Sequence, residues 1–222
     1  MKDEITGNLR ELFDRYPVLS AQKENIEEAI ELLFMCYQAG GKVLVCGNGG
    51  SASDAMHIVG ELMKTFRLPR KLSEEECRKI KRVSADGDYM CTHLQGALPA
   101  ISLVNEASLL TAFINDSAPD LIFAQQVYGY GKPGDILWII STSGNSKNVV
   151  LAAEIAKVKE MRVISLTGRG GGRLKDKSDV TIAVDETETY RVQELHEPVY
   201  HIICRTLEEL FFETRKAIPH AK

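Results

Sequence analysis

The sequence predicts an α/β domain in which helices cover both faces of a parallel β-sheet, and three observations carry the prediction. Two apolar runs, Val43-Leu44-Val45-Cys46 and Ile136-Leu137-Trp138-Ile139-Ile140, each lead into a glycine- or hydroxyl-rich loop and then a helical pattern. Shorter apolar runs, at 101–104, 162–166 and 180–184, extend the series to the order αα-β-α-β-α-β-α-β-β-α, which indicates a parallel sheet. A chain of 222 residues that is 44% hydrophobic can also bury a substantial core, and one domain over residues 1–222 is expected.

The elements follow in order. Leu9, Leu12, Phe13 and Tyr16 share one helical face, and Ile26, Ile30, Leu33 and Tyr37 repeat it beyond a break at Pro17 and Ser20. Ser20 is the expected N-cap of this second helix and Gly40-Gly41 its stop. The first helix either packs within the subunit or meets another subunit. After the strand at 43–46, the loop Gly47-Asn48-Gly49-Gly50-Ser51-Ala52-Ser53 opens a helix. Residues 66–99 carry a charged run over 73–82 and then Ser84-Ala85-Asp86-Gly87-Asp88, which reads as a short solvated helix and a turn. A buried strand at 101–104 precedes a helix over 106–114 that ends at Asn115-Asp116. Pro119 suits the first turn of the next helix, which stops at Gly129 or Gly131. The strand at 136–140 leads through Ser141-Thr142-Ser143-Gly144-Asn145-Ser146 into a helix reaching Glu160. A strand at 162–166, a flexible turn at Gly168-Arg169-Gly170-Gly171-Gly172 and a strand at 180–184 complete the sheet, and 190–212 is mostly helical. Pro198 either kinks that helix or opens a shorter one.

Composition narrows the function. The net charge of −4 arises from mixed signs along the chain, so no basic stripe for a nucleic-acid backbone is present, and any anionic substrate must be captured locally. No apolar run approaches the roughly 20 residues that span a bilayer, and the first four residues lack a secretion signal's apolar core, so a cytosolic protein is expected. The five cysteines are dispersed without a C-x-x-C, which reads as small core hydrophobes rather than a disulfide framework.

The two loops carry chemistry. Glycines let the backbone of residues 47–53 approach a ligand closely, and Ser51 and Ser53 place hydroxyls beside the free amides of a helix start, an arrangement that suits an oxyanion. The loop is neither a Walker sequence nor a dinucleotide fingerprint. Ser141, Thr142, Ser143 and Ser146 make a second cradle, with more hydroxyls than simple N-capping explains. Both cradles lie at strand ends and face one crevice. His57 and Glu61, four residues apart, form either a surface pair of small consequence or one wall of a site. Gln193, Glu197 and His201 repeat that spacing on the last helix, with His196 to one side.

Taken together, Cys46-Gly47-Asn48-Gly49-Gly50-Ser51, Asp54-Ala55-Met56-His57 with Glu61, the serine loop, Leu166-Thr167-Gly168, and Gln193-Glu194-Leu195-His196 with His201 resemble the sugar isomerase (SIS) domain proteins of the phosphoheptose isomerase type. The resemblance covers nearly the whole chain. It implies a flavodoxin-like three-layer α/β/α sandwich, usually a homotetramer with active sites between subunits. It implies that Ser141, Thr142, Ser143 and Ser146 hold the phosphate of a phosphorylated sugar, and that Asn48, Gly49, Gly50, Ser51, Asn115, Asp116 and Gln193 contact the substrate. His57, Glu61, Gln193 and His201 match the family's zinc ligands, and Glu61 and His201 match its base and acid for aldose–ketose isomerisation through an enediol. Residues from about 70 to 99 look like an insertion beside the substrate mouth, and Gly60 replaces a bulkier residue. A non-catalytic SIS protein, such as a replication-initiator adaptor or a sugar-phosphate sensor, is the rival reading. The histidine at 201 weighs against the adaptor.

Overall fold

The apolar runs become strands because continuous β-branched and aromatic sequence is stable only where a sheet is covered on both faces. The computed structural model describes residues 2–213. β1 (Val43–Gly47), β2 (Ala100–Ser102), β3 (Ile136–Ser141), β4 (Arg162–Thr167) and β5 (Val180–Ala183) pair in the order β2-β1-β3-β4-β5, every pair parallel. That is the flavodoxin-like order. It places a topological switch point between β1 and β3, where the carboxyl ends of the strands open a ligand crevice.

The helices are α1 (Lys2–Arg15), α2 (Lys23–Gln38), α3 (Gly50–Met63), α4 (Glu74–Val83), α5 (Gly87–His93), α6 (Ala107–Asp116), α7 (Ile122–Tyr130), α8 (Lys147–Val158) and α9 (Thr189–Glu208). Strand side chains alternate between two cores. Val43, Val45, Ile136, Trp138, Ile140, Ile164 and Leu166 pack with α1, α2, α3 and α9 on one face. Leu44, Cys46, Leu137, Ile139 and Val163 pack with α7 and α8 on the other. Ile5, Leu9 and Leu12 of α1 are buried, so this helix belongs to the subunit's own core.

Several local expectations are corrected. Ser20 caps nothing: it lies inside a 3-10 turn over Pro17–Gln22, where its hydroxyl donates to the Pro17 carbonyl at 2.7 Å, and α2 begins after Gln22 without a side-chain cap. The edge strand β2 starts one residue earlier than its apolar run, at Ala100, where it pairs with Val43. The segment at 66–99 folds as two helices rather than a helix and a turn. α4 buries none of its side chains and is held by a capping box, in which Glu76 N donates to Ser73 Oγ and Ser73 N donates to the Glu76 carboxylate. Pro198 neither ends nor opens a helix, since α9 runs through it. The lost hydrogen bond and ring clash cost about 3 kcal/mol. Buried Val192, Val199, Ile202, Ile203 and Leu207 on the same helix contribute roughly 1.5–3 kcal/mol each and outweigh it. Among the cysteines, Cys36, Cys46 and Cys204 are buried, whereas Cys77 and Cys91 are half-buried on the α4–α5 hairpin, and all five are free thiols.

Candidate active site

The two loops meet at the switch point. The side-chain amides of Asn48, after β1, and Asn148, in the first turn of α8, exchange reciprocal hydrogen bonds of 3.0 and 2.9 Å. Both following helices start without a side-chain cap: Gly49 stands at the N-cap of α3 and Ser146 at that of α8, whose hydroxyl makes no capping bond. Amide donors at both helix starts are therefore left for a ligand, together with the positive end of each helix dipole. Ser141 ends β3 and is buried, Thr142 is half-buried, and Ser143 is exposed, its Oγ accepting from Asn145 N at 3.1 Å.

The glycine run after β4 is not a loose turn. Gly168 N donates to the Thr142 carbonyl at 2.9 Å, Leu174 N to the Gly144 carbonyl at 3.1 Å, and Arg173 N to Asn145 Oδ1 at 3.0 Å, so it braces the serine loop from behind. Gly144, at φ +63°, needs glycine: a Cβ there would stand 2.0 Å from the Gly171 carbonyl oxygen. At Gly50 the space is taken by a side chain: Gln193 lies over it, with Nε2 only 2.5 Å from where a Cβ would be. The structure thus sets the amide of Gln193 against the start of α3. Asn115 and Asp116 end α6 in an exposed position and bond each other at 2.7 Å rather than either loop.

One turn along α3, the histidine–carboxylate spacing yields a cluster. His57 Nε2 lies 3.3 Å from Glu61 Oε1 and 3.5 Å from His201 Nε2 on α9. His57 is therefore the point where both helices converge. The side chain of Glu61 is only 12% exposed, and its second oxygen, Oε2, is buried without a hydrogen-bond partner among the described residues. Burial, and then the neighbouring His57, lower the basicity of His201. Burial, and then the charge of Glu197, raise the Asp54 carboxyl to about 6.

The cluster fits a metal. Four ligands at 2.0–2.1 Å in a tetrahedron stand about 3.4 Å apart. The separations of 3.3 and 3.5 Å around His57 Nε2 match that edge. The set whose donor atoms all lie within 4.8 Å of one another is His57, Glu197 and His201, which does not include Glu61 and brings in a carboxylate absent from the expected ligand set. Its signal in the sequence was the i+4 spacing of Gln193, Glu197 and His201.

A buried ion pair locks the two helices behind the cluster. Arg70 Nε donates to Glu208 Oε1 of α9 at 2.8 Å, while its other nitrogens donate to the Leu62 and Glu61 carbonyls at the end of α3, at 2.6 and 2.7 Å. Glu208 also accepts from the amides of Phe66, Arg67 and Leu68. Both side chains are wholly buried.

His196 does not join the site. It is fully buried against β4 with no well-formed hydrogen bond to either ring nitrogen among the described residues, although the Thr167 backbone lies alongside. Burial lowers its pKa from 6.5 to about 4. Between those values the unfolded chain binds a proton that the folded one does not, so stability is lost as pH falls from 6.5 toward 4, by on the order of 3 kcal/mol from this group. Urea unfolding of wild type and His196→Leu at pH 7.5 and 4.5 is expected to show a smaller acid loss in the variant. Equal losses would assign the acid sensitivity elsewhere.

A parallel sheet in this order, two uncapped loops at its switch point and a His–Glu–His cluster beside them make up an α/β fold with a candidate active site at the strand ends. The SIS domain family model matches residues 8–85 and 87–168, and the chain belongs to that family. Within it the chain groups with the phosphoheptose isomerase type. The phosphoheptose isomerase of Geobacter sp. (strain M21) is 39% identical over 215 residues, covering 96% of this chain and 99% of its own. Two solved structures agree. That of a phosphoheptose isomerase from Francisella tularensis has a TM-score of 0.73 at 31% identity, covering 93% of this chain and 97% of that one. That of phosphoheptose isomerase GmhA from Neisseria gonorrhoeae has a TM-score of 0.71 at 32% identity, covering 94% and 98%. No helix among the described residues is long and apolar enough to cross a membrane.

Proposed function

We propose that this phosphosugar isomerase interconverts sedoheptulose 7-phosphate and glycero-manno-heptose 7-phosphate through an enediol, with Glu61 as base and His201 as acid. The observation that carries the reading is the meeting of Glu61 and His201 on either side of His57, one turn from the glycine loop. Ser141, Thr142, Ser143 and Ser146 would bind the phosphate with the open amides of α8. Asn48, Gly49, Gly50, Ser51 and Gln193 would orient the sugar, with Asn115 and Asp116 closing its far end. The buried Oε2 of Glu61, which has no hydrogen-bond partner among the described residues, suits removal of a carbon-bound proton next to the carbonyl. His201, exposed enough to reach substrate, would deliver a proton to the oxygen.

His57, Glu61, Gln193 and His201 would hold zinc, with Glu197 as a further donor at hand. When bound, the metal supplies Lewis-acid polarisation of the sugar oxygens. Glu61 would use Oε1, facing His57, for the metal and keep Oε2 for the proton, which separates the two roles on one carboxylate. A homotetramer is supported by α6, which buries none of its residues although it carries Leu109, Leu110, Phe113 and Ile114, and by exposed Met56, Met63 and Tyr128. The α4–α5 hairpin, which spans most of the segment proposed as an insertion, would shape the sugar end of the site.

The test is a panel of phosphorylated five-, six- and seven-carbon ketoses assayed with the purified protein and with His201→Asn. Turnover of the seven-carbon substrate is expected, falling by about 10² or more in the variant. Full activity in His201→Asn would remove the acid role, and conversion of a shorter sugar alone would replace the heptose.

A further inference from the structure

His57 is gripped from behind as well as in front. Its Nε2 faces Glu61 and His201, whereas Nδ1 lies 3.0 Å from the hydroxyl of Tyr200. The same hydroxyl is 3.5 Å from Asp54 Oδ1. Asp54 precedes His57 by one turn on α3, and Tyr200 precedes His201 on α9, so the contact joins the two helices that build the cluster. Tyr200 is 1% exposed and its ring meets those of His57 and His201 edge-on, at centroid distances of 5.5 and 4.8 Å. That packing leaves the hydroxyl little freedom to turn elsewhere.

Donor and acceptor counting then decides the proton positions. An ionised carboxylate only accepts, so the Tyr200 O–H is directed to Asp54. The phenol oxygen is left as an acceptor, and the nitrogen facing it must carry a hydrogen. We propose that Tyr200 is a positioning residue: with Asp54 behind it, its hydroxyl holds His57 as the Nδ1–H tautomer and aims the Nε2 lone pair at the space shared with Glu61 and His201. A neutral imidazole with that lone pair presented is the form a divalent metal requires, and groups that orient a ligating histidine commonly change metal affinity by 10–100-fold. The proposal rests on the site reading above in taking Nε2 as the working nitrogen and zinc as the ion held there.

The sequence offers a reason for the arrangement. Asp54, His57 and Glu61 follow a helical repeat on one face of α3, so the residue behind the histidine and the residue in front of it lie on one stripe. Tyr200, beside His201, reaches across from the facing helix. One short stretch of α9 thus supplies both a member of the cluster and the support for its neighbour.

The experiment is zinc binding by the metal-stripped protein in competition with a chromophoric chelator, without sugar. Tyr200→Phe is expected to bind zinc 10–100-fold more weakly. Asp54→Ala is expected to do the same, because the freed hydroxyl then donates to Nδ1 and moves the imidazole proton to Nε2. The double variant should lose no more than the worse single one, since Asp54 acts through the hydroxyl. Long-range ¹H–¹⁵N spectra of the metal-free protein should show the His57 Nδ1–H tautomer in wild type and its loss in either variant. Unchanged affinity in Tyr200→Phe, additive losses, an Nε2–H tautomer in wild type, or a wild type that takes up no zinc would each overturn the proposal. Because no substrate is present, these results stand apart from whether the protein isomerises a heptose phosphate.

Discussion

Glu61→Gln is expected to lower kcat by about 10²–10⁴ with little change in KM, measured as turnover of sedoheptulose 7-phosphate. The amide keeps the shape and the hydrogen-bonding reach of the carboxylate, so the α3–α9 contacts persist, but it cannot take a proton from carbon. The size of the effect follows from the site's construction. Oε2 is buried and has no partner among the described residues, so no hydrogen bond competes with the proton it would take. The affinity of the phosphate end should be spared, because the serine loop lies on β3 and α8 and is braced by the glycine run after β4. A variant that retained more than a tenth of the wild-type kcat would transfer the base role to another carboxylate, and Glu197, within 4.8 Å of both imidazoles, would be the one to replace next.

Arg70→Met is expected to destabilise the fold by about 3–5 kcal/mol, read from urea unfolding at fixed protein concentration. The pair it breaks is fully buried, so the substitution strands the Glu208 carboxylate in the core and leaves the Glu61 and Leu62 carbonyls without their donors. Removing an ion pair as a unit is far less damaging than removing one partner. Arg70→Met/Glu208→Gln should therefore recover part of the loss, since a glutamine oxygen in the place of Oε2 still accepts from the amides of Arg67 and Leu68. A loss below about 1 kcal/mol in the single variant would mean that water reaches the pair. The same substitution should reduce turnover as well, because Arg70 fixes the end of α3 that carries Glu61.

The central strands β1 and β3 were legible because each holds a continuous apolar run, and their loops because glycines and hydroxyls cluster directly after them. The pair His57 and Glu61 could be found from its i, i+4 spacing. What the sequence hid has a common physical character. α4 is held by a capping box and buries none of its side chains, so it leaves no apolar period to read. Arg70 and Glu208 are 138 positions apart, and a buried ion pair has no periodic signature at either end. Tyr200 looks like one more apolar residue of α9 until its hydroxyl is traced to His57. The glycines at 168–172 read as looseness from composition, yet the amides of Gly168, Arg173 and Leu174 bind the neighbouring loop.

The reciprocal amide pair between Asn48 and Asn148 carries a consequence for binding rates. With the two loops tied to each other and one of them buttressed by a third, the oxyanion seat proposed above is assembled when the chain folds, and a phosphate arriving there would not need to organise it. Association should then run close to the speed of encounter, with discrimination among sugars expressed in how long each stays.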